Sequence, residues 1–162
     1  MPSLSIESNG RLEKTAVYYN GEQLGGIKEL VVNIDEDGTF DAVLQYESTD
    51  KIIHNKQVFS DYLENVKVVS PTFTEEDAYD LQLLTIESEG ELDSTMLFIN
   101  NEQLEGVANL YVHIRGKQQA PGSSGFLSVF KSKPKDDATN SEFQSLITFR
   151  NEDDSLESEE IF

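Results

Sequence analysis

The sequence predicts an all-β, mainly antiparallel fold of two tandem homologous β-meander or sandwich units. Three observations predict it: a repeat at an offset of 80 residues, apolar residues alternating with period two, and turn signals between the alternating runs. Residues 4–34 (LSIESNGRLEKTAVYYNGEQLGGIKELVVNI) align without a gap with residues 84–114 (LTIESEGELDSTMLFINNEQLEGVANLYVHI), and 15 of the 31 positions are identical. The identities include Leu4/Leu84, Ile6/Ile86, Gly10/Gly90, Thr15/Thr95, Gln23/Gln103, Gly26/Gly106 and Ile34/Ile114. Identity of this density marks an internal duplication.

The elements follow in order. Leu4 and Ile6 alternate with Ser5 and Glu7, which makes a half-buried first strand. Gly10, like Gly90, marks the turn to the second. Thr15–Tyr19 and its partner Thr95–Ile99 are almost wholly apolar and read as a central strand buried on both faces. Asn20-Gly21 then supplies the positive φ angles of a type I′ hairpin, and Asn100-Asn101 takes the same place. Gly25-Gly26 does not open a helix and is read as a bulge or kink, not a phosphate loop. Leu30, Val32 and Ile34 share one face, Asp37-Gly38 closes the next hairpin, and Phe40, Ala42, Leu44 and Tyr46 share a face beyond it. Each copy is thus expected as a four- or five-stranded meander. Apolar residues at 58, 59, 62, 63 and 66 have helical spacing, so one short helix near 56–65, with Asn55 as its cap, competes with two short strands.

Beyond residue 115 the copies diverge. Phe40–Leu44 matches Phe126–Phe130 at an offset of 86, across the longer loop RGKQQAPGSSG, and Tyr62-Leu63 and Val66–Val69 return to an offset of 80, facing Glu142-Phe143 and Leu146–Phe149. The expected units are residues 1–80, a first β repeat, and 81–150, a second, which share a core or pack closely as neighbours. Residues 151–162 carry six acids and no base and are expected to be a disordered tail.

Composition excludes several kinds of chemistry. The chain has 162 residues and no Cys, so disulfides, thiolate metal sites and a thiol nucleophile are absent from it. Its net charge of −19 opposes direct binding to nucleic acid or to an anionic membrane. No apolar run is long enough to span a bilayer, and the first residues lack the pattern of a signal peptide. A cytoplasmic location in a bacterial host, or association with a virion, is the expectation. Split at residue 80, the charge divides into −10 (16 acids, 6 bases) and −9 (15 acids, 6 bases), so it belongs to both copies.

Motifs are few. His113 sits at the outward phase of its strand opposite a copy-one Asn33, and His54 precedes Asn55 in an expected turn; neither has a carboxylate nearby in sequence, so no catalytic role is assigned to them. Asn33, Asp35, Asp37 and Gly38 match the start of an EF-hand loop, but Leu44 stands where the bidentate Glu belongs. Asp35, Asp37 and Asp41 are therefore read as an acidic hairpin, with a weak cation site or an acidic mimic surface as the functional alternative. Arg115, Lys117, Lys131, Lys133 and Lys135 form a basic cluster in the diverged part of copy two. They are ordinary loop cations or a patch for docking a partner. No catalytic residue, metal or cofactor is expected.

Ile-Glu-Ser-x-Gly, then Thr and an apolar strand, then Asn-Gly-Glu-Gln-Leu and an alternating strand, resembles small uncharacterised bacteriophage-encoded β-domain proteins. The resemblance covers residues 4–34 and 84–114 and implies a phage or prophage setting. It implies no catalytic residue. The expected function is that of a non-enzymatic protein-binding or structural protein, a phage virion-associated or accessory factor with a protein partner. The alternative is an acidic nucleic-acid mimic that inhibits a host DNA- or RNA-binding enzyme.

Overall fold

The structure is a computed structural model that describes residues 2–116 and 143–162. Its strands are β1 (Ser3–Ser8), β2 (Ala16–Tyr19), β3 (Glu22–Gly25), β4 (Ile27–Asp35), β5 (Phe40–Glu47), β6 (Ile53–Gln57), β7 (Lys67–Val69), β8 (Gln82–Glu87), β9 (Met96–Ile99), β10 (Glu102–Gln103), β11 (Val107–Arg115), β12 (Phe143–Arg150) and β13 (Leu156–Glu160). One short helix, α1 (Glu75–Ala78), precedes β8. The strands form a seven-stranded sheet, ordered β10-β9-β8-β1-β2-β3-β7, and a six-stranded sheet, ordered β13-β12-β11-β4-β5-β6. All the described strand pairs are antiparallel.

The all-β class stands, but neither copy is a simple meander. Each divides between the two sheets, and the division falls at the glycines. At Gly26 (φ +73°) the chain leaves β3 in one sheet and enters β4 in the other. A Cβ there would lie 2.6 Å from the Glu47 carbonyl oxygen, so only glycine allows the approach. Gly106 (φ +73°) makes the same crossing between β10 and β11. In both places a β5- or β12-end amide closes the corner, from Glu47 to the Gly26 carbonyl and from Arg150 to the Gly106 carbonyl, each at 2.8 Å.

The repeats meet along the middle of both sheets. In the first, β1 pairs with β8, and Ser5 faces Thr85, its own counterpart at offset 80; Leu4 faces Ile86 and Ile6 faces Leu84. In the second, β4 pairs with β11, and Val32 faces Val112, again at offset 80. Exchanging the halves leaves each set of pairs unchanged, which is the relation of a two-fold interface. Loop bonds obey it too: the Glu36 amide donates to Ala108, and the Gly116 amide to Lys28. Leu4, Ile6, Leu30, Val32, Leu44, Leu84, Ile86, Leu110, Val112 and Ile147 belong to one buried cluster, so the halves share a single core between the sheets.

Four expectations are corrected. The counterpart of β5 is β12, not Phe126–Phe130, which lies outside the described residues. Ile34 faces Phe40 and Leu30 faces Leu44 in one half, while Ile114 faces Phe143 and Leu110 faces Ile147 in the other, an offset of 103. Residues 151–162 are not disordered: β13 pairs with β12 as β6 pairs with β5, and Ile161 is buried at the place of Val58. Six acids do not prevent this, because the strand lies at an edge with its carboxylates in water while Ile161 and Phe162 turn inward. The second unit therefore runs through Phe162. The segment near 56–65 is not a helix. It continues β6 to Gln57 and then turns, with Asp61 accepting the Gln57 amide at 2.8 Å, and its helical spacing comes from Val58, Phe59 and Leu63 folding under the core. Among the described residues the one short α-helix is α1, capped reciprocally by Thr74 and Asp77. Finally, β2 is not buried on both faces, for Tyr18 and Tyr19 are half-exposed.

Candidate functional site

The motif shared by the two copies turns out to be scaffold. Ser8 and Ser88 are fully buried, and each hydroxyl accepts the amide two residues on, Gly10 or Gly90, at 2.9 Å. Each also bonds to the Thr hydroxyl seven residues later, Thr15 at 2.7 Å or Thr95 at 2.8 Å. The side chains of Asn20 and Asn100 each accept an amide from a strand neighbour, Ser3 or Leu83, at 2.9 Å. The motif residues thus satisfy buried or strand-end polar groups.

The predicted sites fare differently. Asp35 accepts the Asp37 amide at 3.1 Å and the Asn109 side chain at 3.0 Å, and Asp37 accepts the Thr39 amide at 2.9 Å. That backbone bond, with the Thr39 side chain, holds the Asp37 carboxyl below its ordinary value. Asp41 lies across from Asn33. The Asp35 and Asp37 carboxylates hold the β4–β5 turn, and among the described residues no three His, Cys, Asp or Glu side chains converge to hold a metal. Of the basic cluster, Arg115 is exposed with its Nε 3.8 Å from Glu29, while Lys117, Lys131, Lys133 and Lys135 lie outside the described residues.

The histidines acquire partners that sequence distance hid. His113 Nε2 lies 2.5 Å from the carboxylate of Glu29, a residue 84 positions away brought alongside by β4–β11 pairing. The copy-one counterpart of this contact is Asn109 to Asn33, at 3.4 Å. Both tie the seam on the outer face of the six-stranded sheet. His54 lies in β6, not in a turn, and stacks on Tyr46 with ring centroids 5.3 Å apart.

Two clefts of about 350 and 270 Å³ open at opposite flanks of the sandwich. Leu12, Val17 and Leu24 line the first with Ile114 of the other half; Leu92, Leu97 and Leu104 line the second with Ile34. They are repeat-related; the first is mostly apolar and the second is lined about equally by polar and apolar surface. Glu36, at the second cleft, is bound by Arg150, whose hydrogen bond lowers its pKa, so it is a paired anion and not a poised base.

Among the described residues asymmetry is concentrated in residues 60–80, which have no described counterpart in the second half. Four contacts anchor the segment. Tyr46, fully buried, donates its hydroxyl to the Glu64 carbonyl at 2.8 Å. The Gln23 side chain donates to the Thr72 hydroxyl at 2.7 Å and accepts its amide at 2.8 Å. Lys67 reaches Glu47 at 3.6 Å. Gly25 lets β7 approach so closely that a Cβ there would lie 2.7 Å from Val69 Cγ1. The segment nevertheless leaves Tyr62, Val68, Val69 and Tyr79 exposed, with Tyr62 and Tyr79 at 80% and 88%. Ile52 and Ile53 are exposed just upstream, so among the described residues six of the eight exposed large hydrophobics fall between residues 52 and 79. Among the described residues β7 is also an outermost strand, with no strand paired to its outer backbone edge. Periodicity could not find this surface, because it requires knowing which side of each element the core occupies.

No described helix is long and apolar enough to cross a membrane. No family model matches the chain, and no curated protein and no solved structure matches it either.

Proposed function

We propose that this chain is a non-enzymatic protein-binding protein that meets its partner through the flank built by residues 52–80. The observation that carries the reading is the concentration of exposed apolar side chains on the segment that breaks the internal repeat. Large exposed aromatics lose nothing by being left in place on a surface that a partner covers, and they mark such surfaces. The open edge of β7 adds backbone groups that a partner strand can pair with. The acids around it, Asp61, Glu64, Glu75, Glu76, Asp77 and Asp80, favour a partner that is apolar at its centre and basic at its rim. The setting we propose, a phage virion-associated or accessory factor, rests on the sequence resemblance.

The test is capture of bacterial host proteins on the immobilised chain and on a Tyr62→Ser, Tyr79→Ser double variant, whose exposed positions leave the fold intact. A partner held by the parent chain and lost by the variant supports the reading. Capture unaffected by the double substitution overturns it. If duplex DNA displaces the partner and doubled ionic strength releases it, charge mimicry is the better account.

A further inference from the structure

The two halves treat the same sheet edge differently. In the first half β7 covers the outer edge of β3, with Gln23 facing Val69, Leu24 facing Val68 and Gly25 facing Lys67. In the second half the equivalent edge belongs to β10, and among the described residues no strand lies outside it. The Leu104 amide donates to Leu97 at 2.8 Å, so the alternation of an antiparallel ladder turns the backbone of Gln103 outward. Gln103 is identical to Gln23, which clamps Thr72 in the first half, yet its side chain is exposed and has no hydrogen bond among the described residues.

We propose that the β10 edge binds an extended segment of a partner protein that adds as a strand, with a basic residue opposite Glu105, an aliphatic residue opposite Leu104, a small residue opposite Gln103, and Ser or Thr three positions further on. This rests on the protein-binding reading but concerns the opposite edge of the sheet. Each requirement comes from the filled edge. Lys67 faces Gly25, and Glu105 stands at the place of Gly25, so a basic residue there meets a carboxylate directly across the strands. Val69 is excluded, because Gly25 admits its Cγ1 only by lacking a Cβ; the Val69 Cβ itself would sit at 3.9 Å, so alanine fits. Val68 faces Leu24, whose counterpart is Leu104. Thr72 supplies the amide and hydroxyl that Gln23 holds, and Gln103 offers the same pair of bonds. Arg150 stands at the place of Glu47 but is occupied by Glu36 and Asp154. A second copy of this chain is a poor occupant, for an antiparallel pairing of two β10 edges about Leu104 would set Gln103 opposite Glu105 and bring the two Glu105 carboxylates together as diagonal neighbours.

The probe is a synthetic peptide of residues 66–73 with Val69→Ala, titrated into the full isotope-labelled chain and followed by amide resonances. The expected result is saturable perturbation at Gln103 and Glu105 with slowed exchange of their amides. Gln103→Ala weakens binding about tenfold through loss of two hydrogen bonds. Glu105→Gly admits the unaltered 66–73 peptide, which the parent chain binds at least tenfold more weakly than the alanine form. The resonances also report that each variant is folded. Perturbation confined to the β7 side overturns the proposal, as does no binding at millimolar peptide. Protection of the Gln103 and Glu105 amides in the free chain would mean that another part of the molecule already holds the edge, and also overturns it. A self-association that buries β10 would do the same. None of these outcomes bears on capture through Tyr62 and Tyr79, so the two readings fail separately.

Discussion

Gly26 and Gly106 offer a test in which one half of the molecule is the control for the other. Both have φ +73° and both turn the chain from one sheet to the other. Alanine at either incurs the left-handed penalty of about 1–2 kcal/mol. Part of that, about 0.4–1 kcal/mol, is recovered because alanine restricts the unfolded chain. The backbone strain is therefore common to both. The surroundings are not. At Gly26 the new Cβ would lie 2.6 Å from the Glu47 carbonyl oxygen, a backbone atom that moves only if the end of β5 moves. That movement disturbs the 2.8 Å bond from the Glu47 amide to the Gly26 carbonyl, about 1 kcal/mol. At Gly106 the nearest atom, the Arg150 carbonyl oxygen, is 3.3 Å away, so a shift of a few tenths of an ångström suffices. Gly26→Ala is expected to lose about 2–4 kcal/mol and Gly106→Ala about 1 kcal/mol. Guanidinium titrations of the two variants, with unchanged slope, measure the difference. Equal losses, or a larger one at Gly106, would refute the close corner at Gly26.

Two further predictions follow from the same geometry. Ile161→Ala, in a terminal segment that composition alone marks as disordered, removes a buried side chain and should lower stability by about 2–4 kcal/mol, whereas a frayed tail would give no change in a denaturant titration. Tyr18 donates to Glu7 at 2.8 Å, and burial followed by that bond and its charge raises the phenol to about 12. Because the folded value lies above the ordinary 10.0, the stabilisation is complete below pH 10 and is lost as the pH rises toward 12. Absorbance titration of the Glu7→Gln variant should show the Tyr18 transition moving down only part of the way, because burial, the larger cause, remains, and an unmoved transition would sink the assignment.

What could be read from the sequence was whatever is local in the chain. The hairpins at Asn20-Gly21 and Asn100-Asn101 are legible because their positive φ angles, 52° and 86° in the first and 51° and 70° in the second, demand those residue types. The strands from Leu4 to Ile34 and their repeats are legible by alternation. β12 is not legible in this way, because its likeness to β5 lies in the in–out pattern and the register, not in identities. FQSLITFR and FDAVLQYE share only their first residue, while Phe126-Leu-Ser-Val-Phe130 offered a nearer decoy. The T-shaped ring pairs expose the true equivalence: Phe40 meets Phe59 with centroids 5.8 Å apart, and Phe143 meets Phe162 at 5.6 Å. The pairing of His113 with Glu29 was out of reach for the same reason, since it depends on how β4 lies beside β11.

The internal two-fold relation also separates scaffold from candidate function. A residue whose environment recurs at its counterpart, such as Ser8 with Ser88 or Gly10 with Gly90, is explained by what every half of this sandwich requires. Gly10 lies 3.4 Å (from an added Cβ) from the Phe162 carbonyl oxygen, and Gly90 the same distance from that of Phe59, so each half closes on the far end of the other. Such residues carry no information about a partner, even though they are the most repeated in the sequence. The informative positions are those where equivalent backbones carry different chemistry. Tyr46 anchors Glu64, where Phe149 lacks the hydroxyl to do so. Gly25 admits β7, where Glu105 presents a carboxylate. Lys67 meets Glu47, where Arg150 takes the acid's place. All three differences fall around the outer edges of β3 and β10. In this fold the edges, not the clefts or the repeated motif, are where equivalent backbones of the two halves differ most in their chemistry.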